Sequence, residues 1–296
     1  MNYLGELFSL LSAIAWAVGV ILYRKLGADL PPLALNFLKN CLVLGMLLPL
    51  APLFHGLALP RMDAATIAIA LGSGVIGIAL ADTLYFRALN ELGAGRMGVV
   101  GNLYSPFVIL LSFVFLDERL TLQQGGGFVL VSAGVLLVAR PVQSGPLAAG
   151  SARARQLRGV LYAVASIALM AIAIVMVKRT LEAQPLLWVT LLRLVGALVG
   201  LTAIALATRQ WRSLGPRGAR FDWRLLLLAA FVGQCLAMVL WLAGYKYTQA
   251  SIAAILNETA SVFILLLAWL WLREPIGRRG VIGVMLTLGG VALMLL

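Results

Sequence analysis

The chain reads as long apolar runs separated by short polar connections. The runs predict spans at about 4–23, 33–54, 64–86, 96–116, 122–139, 159–177, 186–207, 223–244, 249–271 and 280–296. Most approach the roughly 20 apolar residues that carry a helix across a bilayer. They are continuous and lack the alternation of a lumen-facing strand, which excludes a membrane β-barrel. The pattern also occurs twice. Gly5, Ser12, Arg24-Lys25, Pro31 and Lys39 are echoed by Gly159, Ser166, Lys178-Arg179, Pro185 and Arg193 at an offset of 154. Ser105, Glu118, Gly127 and Gly134 are echoed by Ser261, Glu274, Gly283 and Gly290 at an offset of 156. Each copy holds five spans, an odd number, so the second copy enters the bilayer from the opposite side. The predicted fold is an all-α integral membrane protein of ten transmembrane helices in two inverted five-helix repeats, 1–140 and 159–296, joined by a basic inter-repeat loop over 141–158. Two matching bundles of opposite orientation around a shared site are the physical recipe for alternating access.

Composition narrows the class further. Hydrophobic residues make up 62% and charged residues 11% of the 296 residues, against about 25% charged in a soluble domain. The connections leave no room for a separate soluble domain. Cys41 and Cys235 both fall inside spans and read as small buried hydrophobes. Residues 7–23 have no basic region before them and are mirrored by 159–177, so they read as a working helix, not a cleaved leader.

The net charge of +12 maps onto connections and does not form a nucleic-acid footprint. Sixteen cations follow odd-numbered spans, among them Arg87, Arg140, Arg153, Arg155, Arg158, Arg217 and Arg220. Five follow even-numbered ones: Arg61, Arg119, Lys178, Arg179 and Lys246. The positive-inside rule then places the odd connections in the cytoplasm and both termini outside, periplasmic in a bacterial inner membrane. Most of that bias lies in residues 140–279. The basic connections would meet anionic lipid headgroups.

Ionisable groups at bilayer depth cost roughly 2.5–3.5 kcal/mol each on insertion scales. Lys39 in the second span, Asp82 in the third, Arg193 in the seventh and Glu258 in the ninth are such groups. They either neutralise one another as a scaffold or meet a solute. Glu258, beside Asn257 and Thr259, has the uncharged Asn102 as its repeat mate, and breaking the symmetry at a central position points to a task done once per molecule. In the fourth span, Pro106 removes the hydrogen bond to the Asn102 carbonyl, leaving Asn102, Tyr104 and Ser105 to line a cavity or a packing kink. Trp16 and Trp241 lie deep and would wall a site for an organic solute, whereas Trp188, Trp211 and Trp223 sit at span ends as interfacial anchors. Glycines seven residues apart in the fifth and tenth spans allow close backbone packing, or dimer formation as the alternative.

Gly93-Ala94-Gly95-Arg96-Met97-Gly98 matches a dinucleotide fingerprint, but it joins two membrane spans where that fingerprint requires a strand. No catalytic or ATP-binding motif occurs, and the single histidine, His55, is in a connection. Neither an enzyme nor a cofactor is expected, so uphill movement of a solute would draw on a gradient or a partner.

Several marks recur in order and in both halves: Ala15-Trp16 in the first span, Lys39 and Arg193 early in the second span of each repeat, Ser105-Pro106, and Leu116-Asp117-Glu118-Arg119-Leu120 echoed by Leu272-Arg273-Glu274-Pro275-Ile276. In these the chain resembles the drug/metabolite transporter superfamily, specifically its EamA-type members, over nearly its whole length. The resemblance implies a basket of two inverted bundles around a central cavity and movement of small metabolites, often amino acids. On that reading the small-molecule substrate meets Trp16, Lys39, Asp82, Asn102, Tyr104, Arg193, Trp241, Asn257 and Glu258. Lys39 or Arg193 takes a carboxylate, and Glu258 or Asp82 takes an amine or a coupling proton. The chain departs from the family pattern in three ways. The first span has no mid-depth carboxylate, only Glu6 near its start. Pro106 has no counterpart at Val262. The cytoplasmic termini implied for relatives oppose the charge count. Two other readings remain at this point: an anion exchanger using both cations on one phosphate, and a lipid-handling or structural membrane protein. Monomer and homodimer are both open.

Overall fold

The computed structural model describes residues 3–50, 53, 60–116, 121–139, 149–215, 221–274 and 277–295. Asp117 to Leu120 (with Glu118 and Arg119), His55, Arg140, Arg217, Arg220, Pro275 and Ile276 lie outside them. Among the described residues every regular element is helical: α1 (Leu4–Leu26), α2 (Pro32–Leu47), α3 (Ala64–Leu92), α4 (Ala94–Phe115), α5 (Leu122–Ala139), α6 (Ala149–Ala183), α7 (Leu186–Ala207), α8 (Trp223–Tyr247), α9 (Ala250–Leu272) and α10 (Arg278–Leu295). Among the described residues, seven of these are long and apolar enough to cross a membrane: α1, α3, α4, α6, α7, α8 and α9.

Local chemistry sets the ends. Pro32 opens α2 at its first turn, where a missing N–H costs nothing. The carboxylates of Asp63 and Asp222 cap α3 and α8 by accepting from Thr66 N (3.1 Å) and Leu225 N (3.0 Å). Gly93 turns the chain from α3 into α4 at φ +83° and ψ 166°, a region essentially reserved for glycine. One expectation needs correction. The connection expected over 141–158 is helical from Ala149 onward, with no proline to interrupt it. The described helix of the second span covers Pro32–Leu47, and its expected end at residue 54 lies outside the described residues.

Two irregularities occur in both halves at an offset of 156. The third helix of each half carries a π-helical stretch, Val75–Leu80 in α3 and Phe231–Leu236 in α8. The fourth helix of each half breaks. Asn102 and Leu103 donate to Val99 and Val100 three residues back, and Glu258 and Thr259 donate likewise to Ile255 and Leu256. The proline is therefore not the cause of the break, since α9 breaks in the same place without one. Pro106 instead sits in the first turn of the second segment of α4, where its absent N–H is no loss.

Packing relates the halves to each other. At the two ends of α1, Gly5 abuts Thr248 and Gly19 abuts Gly233, so α1 and α8 run antiparallel. In the same way Gly159 abuts Leu92 and Ala173 abuts Gly77, so α3 and α6 run antiparallel. α5 packs on α10, and the buried Gly134, Gly283 and Gly290 are the small residues that permit it. The outer faces carry exposed Leu7, Leu10, Ile14, Phe113, Val199, Leu206 and Phe231, as a lipid-facing surface does.

Candidate functional site

The breaks, the π stretches and the middle of α1 surround one cavity of ≈ 150 Å³. Its lining comes in repeat-related pairs: Trp16 with Met170, Asp82 with Met238, Tyr85 with Trp241, and Asn102 with Glu258. Trp16, Asp82, Asn102, Tyr104, Arg193, Trp241, Asn257 and Glu258 all face it. Lys39 does not. It is fully buried behind the wall, and its Nζ donates to Asp82 Oδ2 at 2.5 Å and to Gln234 Oε1 at 2.8 Å. The ammonium also lies over the Phe86 and Tyr23 rings, 5.2 and 5.7 Å from their centroids.

The Lys39 hub depends on the π stretch. A π turn leaves backbone carbonyls without their usual partners, and side chains supply them. Asn36 Nδ2 donates to Ile78 O at 2.7 Å, Thr83 Oγ1 to Ala79 O at 2.6 Å, and Ser166 Oγ to Ala81 O at 2.8 Å. Asn40 Nδ2 bonds Asn36, and Gln234 Nε2 bonds Asn40 at 3.5 Å, closing a network across α2, α3 and α8.

Arg193 occupies the position equivalent to Lys39 with a different result. It is 2% exposed, and one guanidinium nitrogen donates to Ser73 Oγ at 2.8 Å. Its Nε has no partner. Among the described residues no carboxylate lies within 4.0 Å of it. The symmetric scaffold of two internal ion pairs is thus half built: the first half holds Lys39–Asp82, and the second holds an arginine bonded to Ser73, with Met238 at the position equivalent to Asp82.

Glu258 pairs with backbone, not with a cation. Its Oε1 accepts from Ser105 N at 2.7 Å, capping the N-terminus that the break in α4 exposes. It thereby ties α4 to α9 across the cavity. Ser12 Oγ donates to Asn257 Oδ1 at 2.6 Å, and Tyr245 OH to Tyr104 OH at 2.8 Å. Asn102 Nδ2 is buried without a partner.

Reading ionisable groups alone missed Gln234, Ser12 and Met97. Gln234 and Ser12 are polar residues inside apolar spans, a signal available in the sequence.

Two polar ends bracket the cavity. At one, Arg158 Nε meets Glu91 at 2.9 Å, Glu274 accepts from Ala94 N and Gly95 N at 3.1 and 3.0 Å, and Arg24 lies 3.5 Å from Glu274. At the other, Lys178 Nζ donates to Tyr245 O, Thr248 O and Glu182, and Lys246 Nζ to the carbonyls of Leu181 and Gln184.

The sequence matches the EamA-like transporter family twice, over residues 3–140 and over 157–296. The chain belongs to the EamA-like transporter family. It is 26% identical over 295 residues to an uncharacterized transporter of Archaeoglobus fulgidus, covering 98% of this chain and 97% of the relative. A solved crystal structure aligns over 98% of this chain and 95% of its own with a TM-score of 0.71 at 20% identity, a likeness of fold. This EamA-like protein is a multi-pass membrane transporter.

Proposed function

We propose that the protein is a secondary active transporter of a small polar or zwitterionic metabolite such as an amino acid. It would work as exporter or exchanger by alternating access at the central cavity, in the inner membrane of a bacterium. The observation that carries this reading is the cavity itself: mixed-sign groups gathered at the middle of the helices from repeat-related positions. Ten crossings in two inverted halves are part of the proposal. The antiparallel packing of α1 on α8 and of α3 on α6 supports it, because third helices that run against the first helices of the opposite half require halves of opposite sense. Contacts among residues of odd-numbered connections at one polar end, and of even-numbered ones at the other, support the same arrangement. The charge bias then places the odd end in the cytoplasm and the termini in the periplasm.

In this reading Glu258 carries the coupling proton. Protonation would remove the negative charge that holds Ser105 N–H and so loosen α4 from α9, linking a proton to the relative movement of the halves. Asp82 is less suited, being held by Lys39. The exchanger of phosphorylated compounds needs both cations free of carboxylates, and Lys39 is engaged.

The test uses protein reconstituted in vesicles under an imposed pH gradient. Glu258→Gln keeps a hydrogen-bonding side chain but cannot carry the proton. It is expected to lose gradient-driven accumulation at least tenfold while keeping solute exchange at zero gradient. Full gradient-driven flux in this variant would remove Glu258 from coupling.

A further inference from the structure

Resting on the transport reading, we infer that Arg193 is the single anion anchor of the cavity and that the substrate is a small monocarboxylate with an apolar body. Three independent observations converge on this. First, a guanidinium that is 2% exposed holds one neutral hydroxyl and leaves Nε unpartnered. A buried cation without a close partner is costly; among the described residues no carboxylate lies within 4.0 Å of Arg193, the nearby Asp82 is held by Lys39, and Arg193 faces the cavity, where an entering anion can reach it. Second, the repeat shows what has been removed. Lys39 has Asp82 at 2.5 Å, and the position equivalent to Asp82 is Met238. The second half keeps the cation and has no carboxylate at the equivalent position. Planar, forked donors match a carboxylate or a phosphate.

Third, the remaining wall fits an apolar group. Met97, Met170 and Met238 line the cavity with Trp16 and Trp241. Methionine is flexible and polarizable, so such a wall adapts to aliphatic and aromatic groups alike. The whole cavity measures ≈ 150 Å³, so the solute, its charged group included, is small. One unpaired cation does not suit a phosphate dianion, because Lys39, which would be the second, is committed to Asp82.

The full-length protein in detergent or nanodiscs reports binding through the fluorescence of Trp16 and Trp241. Leucine, leucinamide and O-phosphoserine serve as probes. Leucine is expected to bind at least tenfold more tightly than leucinamide, which keeps the amine and body but lacks the carboxylate, and more tightly than phosphoserine. Arg193→Gln should erase the preference for leucine over leucinamide. Met238→Asp should supply the missing charge internally and abolish leucine binding, with a melting temperature no lower than that of the unaltered protein; this variant keeps Arg193 and so answers the question if Arg193→Gln fails to fold. Equal binding of leucine and leucinamide, failure of leucine to bind, or leucine binding unchanged in Met238→Asp would overturn the assignment. In vesicles, passage of leucine and leucinamide at equal rates overturns the role of Arg193 alone, whereas passage of no solute under any gradient overturns the transport reading itself.

Discussion

Lys39→Met is expected to lower the stability of the folded protein by about 3–5 kcal/mol, the usual consequence of leaving one member of a buried ion pair behind. Asp82 would remain 5% exposed with its 2.5 Å partner gone, and Gln234 would lose the donor it accepts from at 2.8 Å. The methionine would also abandon the cation's place over Phe86 and Tyr23. Replacing both partners, Lys39→Met with Asp82→Leu, removes the stranded charge, and most of the lost stability should return. Thermal or chemical unfolding in one detergent, run on both single variants and the double, closes the cycle. A loss below about 1 kcal/mol for Lys39→Met would mean that Lys39 is solvated from the cavity, and its assignment to the scaffold would fail.

Gly74→Ala is the second substitution with a large expected effect. A Cβ at Gly74 would overlap the Arg193 carbonyl, and Gly196 meets the Leu71 carbonyl in the same way, so α3 and α7 touch backbone to backbone. Neither side can yield by changing a rotamer. The helices must separate, at a cost of about 3 kcal/mol or more, and the separation also displaces Arg193. Gly45→Ala is the matched control: it lies in α2 with open space where the Cβ would go. There the methyl group should stabilise by about 0.5–1 kcal/mol through helix propensity alone. Opposite signs for two identical chemical changes, read as shifts in unfolding midpoint, support the backbone contact. Equal effects would contradict it.

The fold was legible where the sequence repeats itself. The change of offset from 154 to 156 falls between Lys39 and Ser105, and the structure shows repeat-related π stretches at 75–80 and 231–236, already on the later offset. Apolar runs located the helices, because in a bilayer every backbone polar group must be satisfied within the segment and few conformations qualify. Ends were less legible. Nothing in Ala149–Arg158 stops a helix, yet its charges read as a connection. For the site, burial cost singled out the residues that face the cavity but could not assign their partners. Lys39 and Arg193 look alike in the sequence. Their different states follow from their partners: Lys39 meets Asp82, whereas the position equivalent to Asp82 is Met238 and Arg193 bonds Ser73. Glu258 shows the same limit: its partner is the Ser105 amide, exposed by a break that Pro106 accompanies but does not cause.

Placing the first connection of each half relative to the bilayer tests the central claim most directly. With Cys41 and Cys235 replaced by serine, Asp29→Cys and Ala183→Cys mark repeat-equivalent, exposed sites just beyond α1 and at the end of α6. A membrane-impermeant maleimide applied to sealed vesicles of known orientation should label one of them from outside and the other only after the membrane is opened. Labelling of both from the same face would show halves inserted in one sense, and a cavity opened alternately by opposed bundles would be excluded.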